Sequence, residues 1–129
     1  MKLVLVILAA LSLSSCDKSR GGSPVDAYTS FSRAAQRGDA KAAYALLSSR
    51  TQQKLAARAK EISAASGGAI KDEPAALAFS GAPRPELLSE VKLLRQAGDQ
   101  ATLEAKAGGR TAQITMLKEK SGWKVDLGD

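Results

Sequence analysis

The sequence predicts an α+β domain in which N-terminal helices pack on one face of a strongly curved four-stranded antiparallel sheet. Three observations carry that prediction. Apolar residues recur with a period near 3.6 from residue 24 to about residue 66 and with a period near 2 beyond residue 86. Three short turn signals divide the second half into four segments. With 129 residues there is room for one small domain, and helices followed by a run of strands is the order of an α+β arrangement.

Each element has a local cause. Ser23-Pro24 starts the first helix, with a hydroxyl N-cap and proline at the first helical position. Val25, Tyr28, Phe31 and Ala35 form its apolar face, and Gly38 ends it. Asp39 caps a short second helix that turns Ala43, Leu46 and Leu47 inward. Ser49 or Thr51 begins a third, with Leu55, Ala59 and Ile62 on its apolar side and Gly67-Gly68 at its end. Asp72-Glu73-Pro74 opens one more turn through Ala78, and Pro83 and Pro85 force extended backbone. A strand is expected from Leu87 to Arg95, then a turn at Ala97-Gly98-Asp99. Ala101, Leu103 and Ala105 alternate with polar residues, Gly108-Gly109 makes a hairpin, and Ala112, Ile114 and Met116 alternate next. After Lys120-Ser121-Gly122, the residues Trp123, Val125 and Leu127 point inward against Lys124 and Asp126.

The residues ahead of this domain have a different character. Met1-Lys2 is a short basic start, and Leu3 to Leu13 is almost purely apolar. Eleven helical residues span about 16 Å, too short for a hydrocarbon core of ~30 Å, so the stretch is expected to be a signal peptide. Leu13-Ser14-Ser15-Cys16 resembles the lipobox of bacterial lipoproteins. A thiol supplies the nucleophile that accepts a diacylglyceryl group, and small residues before it admit the peptidase. The expected organisation is a signal peptide over 1–15, a lipidated Cys16 with a flexible polar tether over 16–23, and a domain over 24–129. Asp17 resembles the residue that retains enterobacterial lipoproteins in the inner membrane. The expected location is therefore the bacterial envelope, on the periplasmic face of the inner membrane, with the outer membrane as the alternative.

Composition narrows the chemistry. There is no histidine and one cysteine, which removes the commonest general base and zinc ligand, any intramolecular disulfide and any multi-cysteine metal site. No metal or cofactor is expected. Hydrophobic residues make up 44% but aromatics only 4%, so alanine dominates a core of small side chains. The net charge of +6 is uneven, since residues 26–71 hold eight Lys/Arg against three acids. Arg50, Lys54 and Arg58 recur at i, i+4 and i+8 and form a basic helical face. That face either keeps the protein in solution or leans on anionic headgroups at ~1 kcal/mol per cation. Nucleic acid is not an expected partner, because no aromatic residues interleave with the cations.

The residues Pro24, Phe31, Gly38, Asp39, Ala42, Leu46 and Leu47, followed by Gly122, Trp123, Lys124 and Val125, are similar to small bacterial lipoproteins of the nuclear transport factor two-like superfamily. That resemblance implies a cone-shaped sheet wrapped around a helix, enclosing a pocket or a protein-binding concavity. The superfamily includes isomerases, dehydratases and non-catalytic binding domains. Its enzymes often use a His or an Asp/Tyr constellation in the cone, which has no residue-by-residue match here. The expected function is thus a non-catalytic envelope protein that binds a protein partner or small ligand. An isomerase- or dehydratase-type enzyme and a membrane-surface module acting through the basic face are the alternatives.

Tyr28, Phe31, Tyr44 and Trp123 are the candidate ligand-binding residues. A tyrosine hydroxyl inside a cone can donate to a ligand oxygen, and Trp123 can floor a pocket; each can equally serve packing. As general bases, Asp26, Asp99 and Glu104 have ordinary explanations: a helix first turn, a turn and the polar side of a strand.

Overall fold

The computed structural model describes residues 22–80 and 85–128. The expected leader, the lipobox with Cys16, and Pro83 lie outside the described residues. Among the described residues no helix is long and apolar enough to cross a membrane.

Ser23 caps α1 (Pro24–Gln36), its hydroxyl accepting from the Asp26 amide at 3.1 Å. Asp39 caps α2 (Ala40–Ala45) in the same way, accepting from the Ala42 amide at 3.1 Å. α3 (Ser49–Ala65) starts at Ser49, the first of the two expected starts, with Ser48 as its N-cap accepting from the Thr51 amide. α4 (Pro74–Phe79) uses proline as its first residue. The strands are β1 (Leu88–Ala97), β2 (Gln100–Ala107), β3 (Arg110–Glu119) and β4 (Gly122–Asp126), paired antiparallel in the order β1-β2-β3-β4. The α+β class and the four-stranded meander are as the periodicity predicts.

Register places Leu93, Leu103, Ile114 and Val91, Ala105, Ala112 on one face, with Met116 opposite both Ala101 and Val125. α1 lies on this face and touches β1, β2 and β4. Ala27, Leu47, Ala101, Leu103, Met116, Trp123 and Val125 form the buried centre, with Val25, Tyr28, Phe31 and Leu55 packed around it. Six of the twelve buried hydrophobic residues among those described are alanines, as the composition predicts, and the larger side chains gather at the centre. The opposite face carries in-register ion pairs, Lys92 with Glu104 at 3.4 Å and Glu90 with Lys106 at 3.2 Å.

The Gly108-Gly109 hairpin has both residues at positive φ, +54° and +74°. That is the backbone a two-residue turn requires to match strand twist, and only glycine adopts it without strain.

Three details differ from expectation. The deepest residues of α1 are Ala27 and Ala34, at most 1% exposed, because small side chains let the helix approach its neighbours closely. β1 starts at Leu88, which leaves Leu87 exposed, and it carries two register shifts; the second leaves Leu94 as the additional residue between Leu93 and Arg95. β4 ends at Asp126, so Leu127 lies outside the sheet and exposed, whereas Asp126 is buried.

Candidate functional site

The inner sheet face is covered unevenly. α1 shields its centre, and exposure rises along β3 from buried Met116 through half-buried Ile114 to exposed Ala112. At this open end a groove of about 350 Å³ is lined by Tyr28, Leu88, Ala105, Ala107 and Ala112, with Glu86 and Arg110 supplying charge. Tyr28 comes from the second turn of α1, Arg110 from the start of β3, and Glu86 from the segment before β1. The Gln36 side chain donates to the Glu86 carbonyl at 3.1 Å and ties that segment to α1. The Glu86 carboxylate lies over Gly108, in space that a Cβ there would fill.

Tyr28 is half-buried, and burial raises its phenol above the ordinary 10. Its hydroxyl bonds none of the described residues. No buried side-chain polar atom among them lacks a partner, so that hydroxyl meets solvent. The arrangement is an apolar surface with a protonated hydroxyl and a guanidinium, suited to gripping a ligand oxygen rather than to moving a proton at neutral pH.

The other three candidates serve packing. Phe31 stacks between Tyr28 and Phe79, at centroid distances of 6.1 and 6.2 Å. The Tyr44 hydroxyl donates to the Gln52 carbonyl at 3.0 Å, and the Gln52 amide returns to the Tyr44 carbonyl at 2.8 Å, locking α2 against α3. Trp123 is 4% exposed in the centre of the core.

The carboxylates weighed as bases are dispersed. Asp26 is exposed in the first turn of α1, Asp99 occupies the β1–β2 turn, and Glu104 pairs with Lys92 on the outer face. Among the described residues no group of three or more His, Cys, Asp or Glu is placed to hold a metal ion.

Sequence reasoning missed a polar clasp at the start of α3. Asp126 Oδ1 accepts from Ser48 Oγ at 2.7 Å, Arg50 Nε at 2.7 Å and Thr51 Oγ1 at 3.3 Å, and Arg50 also donates to Oδ2. Its side chain is 1% exposed, while that of Arg50 is 60% exposed. The Arg50 hydrogen bond outweighs burial and holds the Asp126 carboxyl at about 2, against an ordinary 3.8. Beside it, Glu119 accepts from the Ser49 amide at 2.8 Å and the Ser49 hydroxyl at 2.9 Å. Backbone completes the clasp: the Ser48 amide donates to the Val125 carbonyl at 2.8 Å, and the Val125 amide to the Leu46 carbonyl at 2.7 Å. A run of hydroxyls with an arginine at a helix start, Ser48-Ser49-Arg50-Thr51, marks a place that attracts an anion, without showing which carboxylate fills it.

The basic face is correspondingly changed. Arg50, Lys54 and Arg58 are all exposed on α3, but Arg50 is engaged with Asp126 and Lys54 donates to the Gly128 carbonyl at 3.3 Å. Arg58 borders a shallow apolar groove with Leu55, Ile62 and Leu77. Reversing all three charges would therefore also break the Arg50–Asp126 pair.

No protein-family model, no curated protein and no solved structure matches this chain.

Proposed function

We propose that the chain is a lipid-anchored bacterial envelope protein, not an enzyme, whose α+β domain binds a small ligand or a partner's side chain in the groove beside Tyr28. The observation that carries the binding part is the uncovered inner face at Ala107 and Ala112, beside buried Ala105 and flanked by a tyrosine hydroxyl and an arginine. Apolar surface of this size with a few convergent polar groups is the ordinary form of a ligand site. The cone shape belongs to the same proposal. α1 touches both edge strands, β1 and β4, which favours a sheet curled around the helix, and the register shifts in β1 supply bend.

The anchor rests on the Leu13-Ser14-Ser15-Cys16 pattern after an apolar stretch, and the periplasmic face of the inner membrane on Asp17. The non-catalytic part rests on how the carboxylates are used. Asp126 is committed to the clasp, Glu104 to Lys92, and a tyrosine raised above 10 stays protonated as a donor.

A photo-crosslinking residue at Ala112 tests the binding reading. In native membranes it is expected to yield a discrete adduct by mass spectrometry that the same residue at exposed Gln53 on α3 does not. Identical adduct patterns from the two positions refute it.

A further inference from the structure

A second site lies away from the groove. Ser30, Arg33 and Arg37 recur at i, i+3 and i+7 at the C-terminal half of α1, and Lys124 reaches the same place from β4. Together they line a cleft of about 320 Å³ floored by Ala42, Ala45 and Leu46. Among the described residues no carboxylate lines it. The nearest is Asp39, whose Oδ1 is used in capping α2 and whose Oδ2 stands 3.8 Å from Arg37, the outer limit of an ion pair. Lys124 gives one proton to the Ala45 carbonyl at 2.9 Å and keeps two. Arg33 pairs with none of the described residues. The local count is three cations against one carboxylate, a net of +2.

Like charges at i and i+4, as in Arg33 and Arg37, repel by a few tenths of a kcal/mol on a helix. Arg33 lies in the last turn of α1, where the helix dipole offsets that repulsion, but no carboxylate among the described residues pairs with it, whereas the cation at Arg50 is met by a buried carboxylate. We infer that the cleft of Arg33, Arg37 and Lys124 binds a phosphate group. A carboxylate neutralises one of the two surplus charges, while a phosphate monoester near −2 neutralises both. Guanidinium forks match phosphate oxygens, and Ser30 and the two remaining Lys124 protons add donors. The apolar floor leaves room for whatever the phosphate is attached to. The inference rests on neither the groove nor the anchor.

The phosphate can belong to a free ligand or to a lipid headgroup, and one experiment separates them. The full chain in neutral detergent is titrated with inorganic phosphate while the arginine Nε–Hε resonances are followed by NMR. Chloride at matched ionic strength is the control. Water-soluble dihexanoyl phosphatidic acid, a phosphate monoester, and dihexanoyl phosphatidylcholine form the second arm. Saturable shifts at Arg33 and Arg37 are expected with phosphate and not with chloride. Arg33→Gln is expected to weaken phosphate binding tenfold or more while melting within a degree or two of wild type, since Arg33 is exposed and its side chain bonds none of the described residues. Arg58→Gln is expected to leave it unchanged. Matching shifts from the phosphatidic acid probe but not the choline lipid assign the site to a headgroup; shifts from inorganic phosphate without them assign it to a free phosphate ligand. Equal response to chloride, no saturation, or binding untouched by Arg33→Gln overturns the inference.

Discussion

Replacing Asp126 by Asn tests whether the clasp is the main polar support of the fold. The asparagine keeps the shape and an acceptor for Ser48 and Thr51, but it sets an amide donor against the Arg50 guanidinium and removes the charge. A carboxyl held at about 2 instead of 3.8 corresponds to about 2.5 kcal/mol of folding free energy. Water on the exposed Arg50 side lowers that to about 2 kcal/mol. A domain of this size has ~5–15 kcal/mol in total, so the loss is measurable. The sign follows from the depressed value: the contribution is full above pH 4, fades as pH falls toward 2, and is absent below it. Urea unfolding read by Trp123 fluorescence at pH 7, 5, 3 and 2 is the assay. Asp126→Asn is expected to lie about 2 kcal/mol below wild type at pH 7 and 5, with the gap shrinking by more than half at pH 2. All other carboxylates, Glu119 included, are common to both proteins, so the difference isolates Asp126. A gap under about 0.5 kcal/mol at pH 7, or one that does not change with pH, refutes the reasoning.

Trp123→Ala is expected to cost ~3–5 kcal/mol, since the side chain is 4% exposed in the core; a melt within a degree or two of wild type contradicts that packing. Gly108→Ala is expected to cost about 1 kcal/mol from its positive φ and to displace the flexible Glu86 side chain, read by melting and by the Glu86 carboxyl resonance; an unchanged melt denies the strain. Mass spectrometry of the N-terminus is expected to find acylated Cys16 and, in Cys16→Ala, an uncleaved precursor; an unmodified N-terminus elsewhere ends the lipoprotein reading.

Local chemistry made the element boundaries legible. Ser23-Pro24, Asp39 and Gly108-Gly109 each act through backbone groups within three residues of themselves, and each stands where it was expected. Period-2 alternation likewise placed Leu103, Met116, Trp123 and Val125 inward. The same alternation assigned Asp126 to a solvated face, and there it failed. Its burial comes from the start of α3, 75 to 78 residues earlier, and no local pattern carries that distance. Tyr28 was legible as a candidate from its place on α1, but its groove neighbours Glu86 and Arg110 were not. They meet it only because β1 and β3 flank β2 and bring their open ends under α1. The helical spacing of Arg50, Lys54 and Arg58 correctly placed them on one exposed face, while the partner that occupies Arg50 was invisible for the same reason as Asp126.

The two edges of the sheet are treated differently, and that difference bears on where ligands can go. β4 is closed: on one side it pairs with β3, and on the other Leu47 bridges Val125 while the clasp pins α3 above it. β1 pairs on one side only among the described residues, and Leu93 and Leu94 are 45% and 42% exposed. An open edge of that kind invites pairing with another chain. Here the two register shifts break its straight run of hydrogen-bonding groups, and Glu90, Lys92 and Arg95 set charges along it. Those devices oppose strand addition but do not cover apolar surface, so the inner side of β1 stays available where Leu88 joins the Tyr28 groove. The polar investment of the fold is therefore concentrated at the β4 edge, and its exposed apolar surface at the β1 edge. A ligand seated beside Tyr28 meets backbone whose position is set by β2 and α1 rather than by the clasp, so loss of the clasp lowers stability without reshaping the groove.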